Sequence, residues 1–528
     1  MRGVSLLLLG LVAVVFPLLT GCGGGAADGP PETFIFARGA DASKLDPADI
    51  DDGESVNTLI QMMEGLLGFQ VGSLEIEPRL AERYEISDDG LRYTFVLREG
   101  VTFHDGTPLN AETAAFTFQR MLDPEHPARF VDSSFQYWKL LFSAVERVEV
   151  QPPMTLVFHL SRPDAALLPA FATFPSFLIS PTAFDEFGPD MVFNPVGTGP
   201  YQFERWQPGE AITMTRWEGY WREPAAGFPR LVMRSIPQNQ QRMAELLAGS
   251  VHAIDGVQPA ELAALANDRR FVIQHRPGLN VGYVAFSHQG EEVVPLPARR
   301  AIAQAIDREA LVRLALDDYG AVADYPMPPG FLGQPDGPPP FPYDPDAARV
   351  ALAAFPELRE RGLRLAAFGA PRTYFPDPMR IASLLRADLE AVGIPVEIVN
   401  RDFQSHLHVS RRGEFDLAIL GWIADTPDPS NFLDTFFHSR SAIYGSATNI
   451  AFYRNAEMDA LLDQGVRETD PARRQEIYEA ALAIWARDLP LIPLVHGEQI
   501  TVLRRELEGY DLHPSGNHFF GPVRWAGE

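Results

Sequence analysis

At 528 residues, with 46% hydrophobic and 11% aromatic side chains, the chain has enough apolar surface for several sizeable cores. Its formal charge of −26, from 70 acids against 44 lysines and arginines, excludes a nucleic-acid partner, because a phosphate backbone demands a basic face. Lysine occurs only at Lys44 and Lys139, so nearly every positive charge is an arginine suited to clamping carboxylates.

The N-terminal stretch MRGVSLLLLGLVAVVFPLLTGC has one basic residue, an apolar run from Leu6 to Leu19 and small residues before Cys22. At about 14 residues broken by Pro17, the run is short for a membrane span and has the length of a secretory signal. Leu19-Thr20-Gly21-Cys22 resembles the bacterial lipobox, in which the cysteine is acylated and the peptide before it removed. The expectation is a signal peptide over 1–21 and a flexible tether, GGGAADGPPE, within 22–32. Cys22 is the only cysteine, so no disulfide forms within one chain. The mature protein is therefore expected to be exported and lipid-anchored, in the periplasm or on the outer face of the cell membrane.

Beyond the tether, DPADIDDGE at 46–54 has the composition of a calcium loop, but its glycine comes one place early for the aspartate pattern. The segment from Pro78 to Asp123 predicts a period-two strand over Leu91 to Leu97, a glycine turn and a short strand over Val101 to His104. Asn110 then caps a helix with Ala111, Ala114, Ala115 and Phe118 on its inner face. VERVEVQPPMTLVFHL adds two alternating runs joined by a double-proline turn, which makes this part an α+β lobe. GTGPYQ, Gly197 to Gln202, precedes a strand rather than a helix, so its glycines serve a backbone corner and not a phosphate cradle. From Pro295 the texture changes. ARRAIAQAIDREALVRLALDD, Met379 to Val392 and Pro471 to Asp488 read as helices. They alternate with the strand-like PVEIVNR and FDLAILGW, the pattern of an α/β layer with a parallel or mixed sheet. PDGPPPFPYDPD at 335–346 is a stiff loop.

Enzyme chemistry is thin. There is no H-E-x-x-H, G-x-S-x-G or G-x-x-x-x-G-K pattern, so no catalytic residue is assigned. His406 and His408 in SHLHVS share a face only if that segment is a strand, and no further His or Cys lies nearby in sequence to complete a metal site. No metal and no cofactor is expected.

Five segments carry a more specific signal: LAERYEISDDGLRYTFVLREGVTFHDGTPLNAE, NPVGTGPYQFERWQPGEAITMTRWEGYW, ARRAIAQAIDREALV, YDPDAARVALA and FDLAILGWIADTPDPSNFL. In this order, over roughly residues 33 to 528, the chain resembles the bacterial extracellular solute-binding proteins, family 5, the dipeptide and oligopeptide receptors of ABC importers. The resemblance implies an α/β, two-lobed periplasmic-binding-protein fold of type II, cluster C-like, with an extra small α+β domain. Domain I would comprise 33–65, 197–284 and 495–528, the small domain II 66–196 and domain III 285–494.

It also implies a site. Ligands of open α/β sheets bind beyond the carboxyl ends of the strands, where Asp425 follows LAILGW. In peptide-binding members the aspartate of the G-W-x-x-D stretch pairs with the ligand's α-ammonium group, and Asp425 occupies that place. Its residue-level alternative is a turn cap, and Asp428, in a D-P dipeptide, reads as a turn residue. Trp422 either walls the site or belongs to the core. Arg380 is the candidate for the ligand carboxylate, with Arg372 as its rival. From GLNVGYVAFS at 278–287, Tyr283 and Asn280 are expected to face the cleft, on a strand whose backbone pairs with an extended peptide. The implied function is a monomeric, lipid-anchored receptor that closes on a peptide and delivers it to an ABC permease in the inner membrane. The alternatives are another cargo on the same fold (a nickel complex, haem, an opine or a sugar) and, from another class, a surface hydrolase or peptidase.

Overall fold

The computed structural model describes residues 32–130, 133–223, 225–290 and 293–527; the expected signal peptide, Cys22 and most of the tether lie outside these residues. Lobe I is built around Thr33–Arg38, which pairs in parallel with Arg230–Ser235 and Ala253–Asp255, while Ala211–Arg216 and Tyr201–Gln207 extend the sheet antiparallel. Its core holds Phe34, Phe36, Tyr201, Met214, Leu231 and Phe520, all fully buried. Gly197 forms the expected corner: a Cβ there would lie 2.3 Å from the Met62 carbonyl oxygen.

The small domain is a four-stranded antiparallel sheet in the order Ala81–Ile86, Arg92–Leu97, Thr155–Leu160, Val145–Gln151. Helix Ala111–Leu122 packs on it through Ala111, Ala114, Ala115 and Phe118, and the Asn110 side chain accepts the backbone N–H groups of Glu112 and Thr113. Burying Phe118 fully contributes about 1.5–3 kcal/mol. The strand expected over Val101 to His104 is not formed; the segment makes a single bridge between Thr102 and Pro108. The stretch expected to close this domain at 196 runs along a seam: Phe174, Phe177, Ile179, Phe184 and Met191 pack in the lobe I core, Leu178 in the small domain.

Lobe III has the mixed sheet that the alternating texture suggested. Leu363–Phe368 runs parallel to Val396–Arg401 and Leu417–Ile423, and the latter is antiparallel to Asn280–Phe286. Pro378–Ala391 and Pro471–Asp488 are helices, as expected. Phe403–Ser410 is a helix too, capped by Asp402, so His406 and His408 do not share a face. His406 is fully buried against the Ile419 carbonyl at 2.8 Å.

The lobes are joined by the longest strand, Leu491–Arg504. Its first half pairs with Asn280–Phe286 and Gly320–Val322 in lobe III, its second half with Phe271–Pro277 and Ala253–Asp255 in lobe I. The chain crosses a second time between Pro277 and Asn280. At this double crossing the Asn280 side chain donates to the Gly497 carbonyl (2.7 Å) and accepts the Gly497 N–H (2.9 Å). Residue 497 has room only for glycine, since a Cβ would meet the Thr373 carbonyl oxygen at 1.9 Å.

Candidate functional site

A cavity of about 1030 Å³ lies between the lobes, with Asp51, Glu54, Tyr137, Arg372, Asp425 and Gln499 among its walls. Asp425 comes just after the buried strand Leu417–Ile423, and the preceding Ala424 is tied by its N–H to the Leu279 carbonyl at 2.8 Å. Its Oδ2 is sealed from solvent and has no hydrogen-bond partner among the described residues. Burial pushes the carboxyl up to about 7. Tyr137, on the small-domain helix Gln136–Leu141, faces it: the Asp425 charge, ahead of burial, drives that phenol well above its ordinary value. The small domain and lobe III touch where the Ala165 N–H donates to the Val466 carbonyl at 2.9 Å.

Of the other candidate site residues, Arg372 shares this wall and the rest fall elsewhere. Asp428 accepts the Ser430 N–H at 3.0 Å, the expected turn contact, and also takes Arg474 at 2.7 Å in a buried ion pair. Trp422 belongs to the lobe III core and donates its indole N–H to Asn431 Oδ1 at 2.9 Å. Tyr283 is buried edge-to-face against Phe436, 4.9 Å between ring centroids, and Asn280 is spent on the Gly497 clamp. Neither reaches the cavity. The reason is topological: Asn280–Phe286 has a strand on each side and every residue buried, so no edge is free to pair with a peptide. Arg380 lies in the first turn of Pro378–Ala391, exposed and off the cavity wall. Its rival Arg372 is on the wall, stacked 3.8 Å over the Phe403 ring, with no carboxylate partner among the described residues.

Several wall residues had no local signal. Tyr137, Glu54, Asp255, Arg242, Gln499 and His518 come from distant segments and meet only through the hinge topology. Glu64 is also there. It accepts from Trp221 Nε1 (2.8 Å), Tyr220 OH (2.9 Å) and Thr198 Oγ1 (3.1 Å), and burial raises its carboxyl.

The family model for bacterial extracellular solute-binding proteins, family 5 Middle, matches residues 75–443. The chain belongs to this family. Among its relatives, Heme-binding protein A of Haemophilus influenzae is 32% identical over 510 residues, covering 93% of this chain and 92% of that one. The Dipeptide-binding protein of Escherichia coli is 28% identical, with 94% and 95% covered. In three dimensions the dipeptide binding protein from Pseudoalteromonas sp. SM9913, solved in complex with Met-Leu, superposes with a TM-score of 0.83 at 25% identity, covering 93% of this chain and all 100% of that chain. Members of family 5 are extracellular solute-binding proteins, and the two-lobed α/β architecture of this chain is theirs.

Proposed function

We propose that this protein is the extracytoplasmic receptor of an ABC importer, that it binds a peptide between its lobes, and that it hands the peptide to a membrane permease. The observation that carries this reading is Asp425 on the cavity wall just past the end of a core strand, with its buried Oδ2 lacking a donor among the described residues. A peptide α-ammonium supplies the missing donors. Arg372, on the same wall and without a carboxylate partner among the described residues, suits the peptide carboxylate in place of Arg380. Relatives described as dipeptide-binding proteins support the same cargo. The name of the Haemophilus influenzae relative raises haem as a second cargo. The wall speaks against it only by balance, since a porphyrin's two propionates would meet more acids, Asp51, Glu54, Asp255 and Asp425 among them, than arginines such as Arg242 and Arg372.

The mechanism is closure of a hinge formed by the two crossings at 277–280 and 497–498. Closure is driven only by contacts better made in the closed state, and a peptide held by Asp425 and Arg372 in lobe III must complete its contacts on lobe I and the small domain. With a peptide proven to bind by calorimetry, small-angle scattering is expected to give a smaller radius of gyration than without it, at unchanged far-UV circular dichroism. An unchanged radius at saturation rules the hinge out. The same peptide should be recovered intact after prolonged incubation; cleavage products would favour the peptidase alternative.

The reading includes a lipid anchor at Cys22, removal of residues 1–21, and a monomer. Cys22→Ala is expected to abolish incorporation of labelled fatty acid and to release the protein from membranes. A variant that still carries label overturns the anchor and leaves the binding function untouched.

A further inference from the structure

The lobe I wall of the cavity carries a second set of acceptors, separate from Asp425. Asp255 ends the strand Ala253–Asp255 and stands in register with Thr501 of the long strand; Gln499, two residues earlier, projects from the same face. Gln499 is only 9% exposed. Its Nε2 donates to the Pro514 carbonyl at 3.1 Å, which fixes the amide orientation because a carbonyl accepts only from the NH₂ end. Its Oε1 is then turned away, buried and without a partner among the described residues, and Asp255 Oδ1 is in the same condition. Both residues line the cavity.

Among the described residues, the nearby cations leave Asp255 Oδ1 and Gln499 Oε1 without a donor. Arg38 gives Nη1 to the Glu54 carbonyl (2.7 Å) and Thr58 Oγ1 (2.8 Å) and Nη2 to Asp41 (3.2 Å), and it stands 3.5 Å from Glu54 Oε2. Arg242 donates to the carbonyls of Ile236 (2.7 Å) and Pro237 (3.2 Å) and to Asn239 Oδ1 (3.2 Å). His518 Nε2 stays 3.7 Å from Asp255 Oδ2, while its Nδ1 meets the Tyr510 hydroxyl at 2.6 Å. Asp52 caps the helix Gly53–Leu59 by accepting the Ser55 N–H at 2.8 Å. Glu54, in that helix, is pushed up to about 8, by burial first and by the Asp255 charge second. The wall thus has carboxyl groups that crowd one another and acceptors without donors.

We propose that this wall is a subsite for a basic side chain of the bound peptide, an ammonium or guanidinium that donates to Asp255 Oδ1 and Gln499 Oε1 beside Glu54. The inference rests on the peptide reading and deepens it: the receptor prefers peptides that carry lysine or arginine. Such a ligand joins Asp425 in lobe III to Asp255 in lobe I, so its side chain adds to the drive for closure.

The test is calorimetry on the mature receptor with di- and tripeptides carrying lysine at each position in turn, each against the same peptide with norleucine, which keeps the aliphatic stem and removes the charge. At one position lysine is expected to bind tighter by about tenfold or more, the worth of a charge-assisted hydrogen bond. Asp255→Asn should bring that lysine peptide down to its norleucine counterpart, and Gln499→Met should reduce the gain. The wild-type comparison stands without any variant: norleucine peptides that bind as well as lysine at every position overturn the subsite and leave the peptide function intact. A lysine gain that survives Asp255→Asn also overturns it. If neither series binds, the peptide reading falls, and the subsite with it.

Discussion

Asp425→Asn is expected to weaken peptide binding by about thirtyfold to a few thousandfold, because stranding one partner of a buried charge pair costs on the order of 2–5 kcal/mol at about 1.4 kcal/mol per tenfold. Asp425 Oδ2 has no donor among the described residues, so none of them replaces the lost contact. N-acetylating the peptide should damage wild-type binding badly and the variant little, since the two changes delete one interaction. Independent, additive losses in that four-cornered cycle would make Asp425 a turn residue and place the amine elsewhere. The pH dependence follows from the same residue. The free receptor keeps a proton on Asp425 below about pH 7, whereas the complex needs the carboxylate, so binding releases that proton. Affinity therefore falls as pH drops below about 7, by up to about tenfold per unit, while the peptide α-amino group, with an ordinary pKa near 7.7–8.0, stays charged throughout. Asp425→Asn should flatten this profile.

What was legible in the sequence was what neighbours in sequence decide. Asn110 announced its helix because the cap and the inward-facing Ala111, Ala114, Ala115 and Phe118 lie within three turns of one another. Asp425 was legible for a related reason: an apolar run followed by a polar turn marks the end of a core strand. Asn280 and Tyr283 were expected at the cleft from the resemblance, but every residue of Asn280–Phe286 is buried, Asn280 is held by Gly497 and Tyr283 packs on Phe436. With a strand on each side, the backbone of Asn280–Phe286 has no free edge for a peptide to pair with. Arg380 and Arg372 were separated by a cap. Asp377 accepts the Arg380 N–H at 3.0 Å and so starts the helix there, leaving Arg380 outward and Arg372 on the loop that abuts the hinge at Thr373 and Gly497. The wall of Glu54, Asp255 and Gln499 left no local trace, since only the pairing of the long strand with both lobes brings those segments together.

The acids of DPADIDDGE show the same dependence on distant partners. Instead of gathering on a cation, Asp52 caps a helix, Asp49 accepts the Ser134 N–H at 2.7 Å, and Asp46 pairs with Arg120. The last of these predicts a large loss of stability. Asp46→Ala is expected to cost about 3–5 kcal/mol, because it strands Arg120 as an uncompensated charge in a pair whose members are 0% and 1% exposed. Arg120 has no reserve of acceptors. Its Nε and Nη1 have no partners among the described residues, and its guanidinium lies over Phe135 of the small-domain core at 5.1 Å and Phe184 of the lobe I core at 4.7 Å. The loss should therefore appear where those two cores meet, as a lower urea midpoint of the first unfolding transition, since a chain with several cores need not unfold in one step. Removing both charges is expected to do less harm than removing one. Asp46→Leu combined with Arg120→Met replaces the pair by apolar groups and should recover most of the stability, because no desolvated charge is left to satisfy. An Asp46→Ala protein within about 0.5 kcal/mol of wild type, the range of an ordinary surface substitution, would show that the pair does not hold the seam.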